Sequence, residues 1–396
     1  MNPLKIILAQ GISQTCDRLM MIASLWILAV HAQPQWAAWF VAAASLPHLL
    51  LFRWTPGLID HFGALKSVIY SDLARAVVLI VASVFFSGEW QPTWLYSLFG
   101  IYFFINFFTA IFNPAMFVLP SLLFNTEDEK RKLMAQIESV TAFSNVVAPV
   151  ISTSLFYFFG FQILMLVNGL SYLLAWFLEV GIVVKQKSDQ HSLEVPQKRP
   201  SIGSVGKRDF LIVYLLVGFL FLNLVLGPLL VLIPLYANKI YLGTIKTVSI
   251  MELFLALGSL IGSILASTRY SGKTSFKKIF AFLIMNSIGF IGFCFSKSLT
   301  FGTVGLFTLG FFLSLANVMI LDLFQKRAIE SELSLVMNYV NVIGTASLPI
   351  SLVVFGAVLT STGDQWVLLG KIVSLISLVF VLLLGIGPVF VKRLKM

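Results

Sequence analysis

The sequence predicts an all-α membrane protein of about twelve transmembrane helices, arranged as two pseudo-symmetric six-helix bundles. Three observations predict it. Of 396 residues, 58% are hydrophobic and only 11% charged, against about 25% charged in a soluble domain. So few charges cannot cover a water-facing particle, and lipid must be the solvent for most of the surface. The apolar residues fall in segments of about 20, the length that crosses roughly 30 Å of hydrocarbon. One long polar stretch, residues 185–209, divides those segments six and six.

In order, spans are expected near 6–30, 36–55, 67–86, 92–116, 133–158 and 162–184, then near 210–236, 247–268, 277–296, 299–322, 333–359 and 366–390. Each should be helical, because backbone polar groups in lipid have no water to pair with. Residues 1–30 run on as one apolar helix with no small-residue cleavage site, so the first segment is expected to stay as a span. With the N-terminus placed inside, twenty Lys and Arg fall in inner segments and three, Lys239, Lys246 and Lys297, in outer ones. The positive-inside rule then puts both termini in the cytoplasm. The net charge of +10 is thereby a topology signal, and nucleic acid is not expected as a partner. Trp36, Trp90, Trp94 and Trp366 fall where an outer aromatic belt is expected.

The domain reading is 1–184 for the first bundle, 185–209 for a cytoplasmic linker, and 210–396 for the second. The halves echo each other weakly. Pro149 in VTAFSNVVAP corresponds to Pro349 in VNVIGTASLP, and Asn113 in the fourth helix to Asn317 in the tenth. Such parallel repeats are a known transporter plan. Gly258 and Gly262 form a G-x-x-x-G, which permits close helix approach.

An ionisable side chain at mid-bilayer costs roughly 2.5–3.5 kcal/mol on insertion scales and so calls for a reason. Asp17 is the sharpest case. It lies midway along the first helix, where Gln10, Gln14, Asp17 and Ser24 share one face. Asp17 could bind and release a coupling proton, or pair structurally with Arg18 or another helix. Glu138 and Glu252 are further proton candidates; Glu252 could instead reach the outer interface. Glu138 with Asn145, Asn106 with Thr109 and Asn113, and Asn338 with Asn341 and Thr345 form amide stripes on three other helices. With Gln14 and Arg18 they could line a wet chamber shared by the two bundles, or hydrogen-bond helices together. Asp72 and Arg75, three apart, can pair along their helix; Arg75 could alternatively snorkel to the interface.

PGLIDHFGALK (56–66) resembles the loop motif of the major facilitator superfamily, roughly G-x-x-x-D-R-x-G-R-K. Asp60, Gly63 and Lys66 carry the likeness. Pro56 replaces the first glycine, His61 the arginine, and Ala64 and Leu65 thin the basic run. ISQTCDRLMMIASL (12–25), YSDLARAV (70–77), FNPAMFVLPSLL (112–123) and NGLSYLLAWFLE (168–179) resemble the drug–proton antiporter branch that includes macrolide-efflux proteins and siderophore exporters. The glycine-rich motif of that branch's fifth helix survives only as Ala148-Pro149 followed by Ser152.

The resemblance implies a secondary transporter in a bacterial cytoplasmic membrane. It would export small organic molecules, drug-like or siderophore-like, by alternating access and proton antiport. Asp60, Gly63, Lys66, Asp72 and Arg75 would serve its gate. Its partners would be a proton, the lipid bilayer and a small-molecule substrate, with the chain a monomer. An importer or lipid transporter of the same fold, or a non-transporting sensor or scaffold, are the alternatives.

No catalytic set or phosphate-cradling glycine loop is present, so neither an enzyme nor ATP-driven transport in cis is expected. No cofactor is expected. Cys16 and Cys294 lie in apolar stretches, and His31, His48, His61 and His191 lack metal spacing, with His31 and His61 read as loop residues.

Overall fold

The computed structural model describes residues 2–51, 53–86, 90–124, 126–182, 202–269, 275–362 and 365–394. The elements are α1 (Asn2–His31), α2 (Pro34–Leu51), α3 (Thr55–Phe62), α4 (Ala64–Phe85), α5 (Thr93–Leu123), α6 (Glu127–Val180), α7 (Ile202–Arg208), α8 (Phe210–Leu226), α9 (Leu229–Leu235), α10 (Ile245–Arg269), α11 (Phe276–Phe295), α12 (Leu299–Arg327), α13 (Glu330–Thr362) and α14 (Trp366–Leu394). All the described elements are helical. A π-helical turn, Tyr236–Ile240, continues α9.

Nine of these segments are long and apolar enough to cross a bilayer, or ten if the bent pair α2–α3 counts as one span. Two features account for the difference from twelve. First, α6 runs for 54 residues, roughly 80 Å at about 1.5 Å per residue, more than twice the hydrocarbon thickness. It breaks at Gly160, whose φ of 73° and ψ of −179° are non-helical, giving arms 127–159 and 161–180. Second, α1 is long enough at 30 residues but carries Gln10, Gln14, Asp17 and Arg18, which lower its apolarity. Exposed Phe85, Phe158, Phe177, Val354, Val379 and Leu383 give the helices the apolar outer surface that lipid requires.

Only glycine tolerates the Gly160 backbone without strain. Gly160→Ala should therefore cost about 1–3 kcal/mol, read as a lower melting temperature of the detergent-solubilised protein.

The chain forms two compact units: residues 1–192 with Thr244–Ser249, and residues 193–243 with 250–396. In the first, Ile6, Ile59, Val68, Phe112, Leu119 and Leu133 build a buried core that joins α1, α3, α4, α5 and α6. In the second, Ile212, Leu216, Leu283, Ile320, Phe324 and Val381 do the same for α8, α11, α12 and α14. The G-x-x-x-G acts as a packing device there. A Cβ on Gly258 would lie 2.3 Å from the Phe307 carbonyl oxygen, and one on Gly262 2.3 Å from that of Phe311. The backbones of α10 and α12 meet at those two positions.

Several sequence expectations shift. Within the stretch read as the linker, Ile202–Arg208 is helical, and Asp209 caps α8 by accepting from Leu211 N at 3.1 Å. Arg327 pairs with the same carboxylate at 2.6 Å. Residues 183–201, with His191, lie outside the described residues. His31 is not in a loop; it ends α1 and stacks on Trp90 with ring centroids 5.0 Å apart. His61 likewise belongs to a helix, α3. Trp36 meets Tyr96 and Phe99 edge-on, and Trp366 meets Tyr236, so these belt residues pack on other rings.

Candidate functional site

The four segments FNPAMFVLPSLL, ISQTCDRLMMIASL, YSDLARAV and NGLSYLLAWFLE lie on α5, α1, α4 and the second arm of α6. These helices pack on one another in the first unit, with α6 against both α1 and α4. Gly169 lets α6 approach α4, since a Cβ there would lie 2.8 Å from Ile80 Cγ1 and 3.1 Å from its backbone N. Asn168, Tyr172 and Glu179 follow at spacings of 4 and 7, on one face of α6.

The result is one connected polar cluster. Asp17, half-buried on α1, accepts from Asn168 Nδ2 at 3.0 Å through Oδ1 and from the Tyr172 hydroxyl through Oδ2. The Tyr172 oxygen accepts in turn from Arg75 Nη1 at 3.3 Å. All three nitrogens of the Arg75 guanidinium donate. Nη2 binds Asp72 Oδ1, Nη1 also reaches Thr109 Oγ1 at 3.4 Å, and Nε reaches the Ser71 carbonyl at 3.4 Å. Its Cζ lies 4.2 Å from the ring centroids of both Phe112 and Tyr172, so two aromatic faces sandwich the cation. Beyond Asp72 lies Glu179, and both carboxyl groups are fully buried.

The Asp72–Arg75 pair along α4 forms as its spacing suggests, but the snorkelling alternative for Arg75 is overturned: its side chain is only 4% exposed, and its partners lie inward. Asp17 is bound to α6 through Tyr172 and Asn168. Arg18 is half-buried beside it. The Gln14 amide is engaged at both ends, donating to Gln10 Oε1 at 2.9 Å and accepting from Thr141 Oγ1 at 2.6 Å. Asn106 donates to the Tyr102 carbonyl at 2.8 Å and lies 3.4 Å from His48 Nε2.

Glu138 and Asn145 are exposed on the first arm of α6, and Asn113 is exposed on α5. Glu252 is buried on α10 in the second half of the sequence. Asn338 and Asn341 lie on α13, with side chains outside the described residues. Asp60 and Lys66 are exposed on α3 and α4, and Gly63 between them has a φ of 83° that favours glycine in this loop. Sequence reasoning missed Asn168, Tyr172 and Glu179. Their shared face was the available signal.

A family model described as Major Facilitator Superfamily matches residues 6–352. The chain belongs to that superfamily. This major facilitator protein is accordingly a transporter and not an enzyme. Its fold is similar to a bacterial metal transporter at 15% identity, covering 97% of this chain and 98% of that one, with a TM-score of 0.68. A bacterial homologue of the iron transporter ferroportin, in an inward-facing state, matches at 16% identity over 97% and 98%, with a TM-score of 0.70. PepTSo, a transporter of the POT family, matches at 12% identity over 99% of each chain, with a TM-score of 0.69. At such identities the likeness concerns the fold alone. No curated protein matches the chain.

Proposed function

We propose that this major facilitator protein exports small organic molecules from a bacterial cytoplasm by proton antiport, with Asp17 as the group that takes up and releases the coupling proton. Both termini lie inside the cell in this reading, and the working cycle is alternating access. The observation that carries it is the position of Asp17: a half-buried carboxylate midway along a membrane helix, wired through Tyr172 to the buried guanidinium of Arg75. In its ionised form Asp17 accepts from two α6 donors. A proton on it removes one acceptor site and turns or releases the Tyr172 hydroxyl, which Arg75 of α4 also contacts. Loading the proton is thereby felt on three helices. Proton and cargo each shift the equilibrium between inward-open and outward-open states only by their difference in affinity for the two.

The loop of Asp60, Gly63 and Lys66 serves as the gate, and the amide stripes on α5, α6 and α13 contact cargo. Two of the similar structures are a bacterial metal transporter and a bacterial homologue of the iron transporter ferroportin. Among the described residues, however, no group of three or more His, Cys, Asp and Glu side chains is arranged to hold a metal ion. An organic cargo, drug-like or a metallophore, fits the amide-rich stripes better.

The experiment uses everted membrane vesicles with an imposed acid-inside pH gradient, probed with a labelled macrolide, ethidium and an iron-free siderophore. At least one probe should accumulate inside and leak out when a protonophore collapses the gradient. Accumulation that survives the protonophore, or none above vesicles lacking the protein, would overturn the reading.

A further inference from the structure

Asp72 and Glu179 have no place in the proton step assigned to Asp17, yet among the described acids of the first unit they are the most deeply buried. Both are 0% exposed. Their carboxyl groups adjoin across the α4–α6 contact. Asp72 spends Oδ1 on Arg75, while Asp72 Oδ2 and both oxygens of Glu179 meet no hydrogen-bond donor. Three buried acceptor oxygens without a donor would be an expensive arrangement, since each orphaned polar atom costs roughly 1–3 kcal/mol.

Among the described residues, Arg75 is the cation bonded to the pair, through Asp72 Oδ1. Among the described residues, the charged and titratable groups recorded around the pair are Arg75 on α4, Asp17 on α1 and Tyr172 on α6; α5 contributes the neutral Thr109 and Phe112. Lys5 is directed to the Gly181 carbonyl at 3.1 Å, at the exposed end of α6. One guanidinium thus faces three carboxyl groups. Two adjoining carboxyl groups in a dry site cannot both ionise, and a shared proton is the usual resolution. A metal cation is a poor substitute, because hard cations call for about six oxygen ligands and the pair supplies few.

We propose that Asp72 and Glu179 form a carboxyl–carboxyl pair that keeps one resident proton between them, a proton site separate from Asp17. Glu179 carries the proton and donates it to Asp72 Oδ2, and Asp72 stays ionised against Arg75. Because neither group reaches the surface, this proton does not exchange during the cycle. It limits the claim of Asp72 and Glu179 on the guanidinium, which leaves Nη1 of Arg75 free for Tyr172 and so for Asp17. Glu179 is then a positioning residue.

The inference rests on the burial of the pair, and its test is independent of cargo and transport direction. Infrared spectra of the purified full chain in an ester-free detergent at neutral pH should contain a carboxylic-acid carbonyl band. That band should persist in Asp17→Asn and disappear in Glu179→Gln. Glutamine retains a donor for Asp72, so Glu179→Gln should melt close to wild type. Glu179→Leu has the size without the donor and should melt roughly 5 °C lower. A band unchanged by Glu179→Gln would overturn the proposal, as would Glu179→Gln melting as low as Glu179→Leu. Sodium-dependent stabilisation of wild type that is lost in Glu179→Gln would equally overturn it in favour of a bound ion. A vesicle assay without proton coupling would sink the exporter reading and leave these results standing.

Discussion

Arg75→Met should destabilise the protein by about 3–5 kcal/mol, the usual cost of removing one partner from a buried ion pair. The substitution keeps much of the volume between Phe112 and Tyr172 and deletes every polar contact of the fork. Asp72 loses its cation partner while remaining 0% exposed, and the Tyr172 oxygen loses the donor on Arg75. Lysine is no rescue. A single ammonium cannot reach Asp72, Tyr172, Thr109 and the Ser71 carbonyl from one planar group, nor stack flat between two rings. The double variant Arg75→Met/Asp72→Asn should recover part of the loss, because no uncompensated buried charge remains at the pair. Thermal melting of the three proteins in detergent reads this directly. Equal melting of Arg75→Met and wild type would mean that water, and not Asp72, solvates the guanidinium.

The fold was largely legible because its signals are one-dimensional. Span length, charge asymmetry and the polar stretch at 185–209 do not depend on which helix touches which. The break in α6 at Gly160 falls between the fifth and sixth expected spans for the same reason: 54 residues are too many for one crossing. Asp17 was legible because a carboxylate at mid-helix is costly wherever it points. Asp72 and Arg75 were legible as a pair but not as a centre, since an i, i+3 spacing fixes the pairing and leaves the direction of the face open. Glu179 was missed for a related reason. It lies near the end of an expected span, and the packing of α6 on α4 buries it. The Gln14 stripe illustrates the converse. Its periodicity on α1 is plain, but whether an amide meets water or Thr141 depends on α6, 127 residues away.

Asp17→Asn should be the most severe functional lesion that still folds. Asparagine keeps the shape and can accept from Tyr172 through its one oxygen, so that contact survives while the acceptor for Asn168 is lost and the charge change is abolished. Gradient-driven accumulation in everted vesicles should fall by about 5–150-fold, the span of typical coupling free energies between two ligands. Cargo exchange at equal pH on both sides asks only for the rocking step, and it should persist near the wild-type rate.

The comparison of those two rates in one vesicle preparation is the most direct test. The account predicts that Asp17→Asn loses uphill accumulation of the probe and keeps its exchange. Full accumulation by the variant under the same acid-inside gradient would contradict it, for then no proton need bind at Asp17.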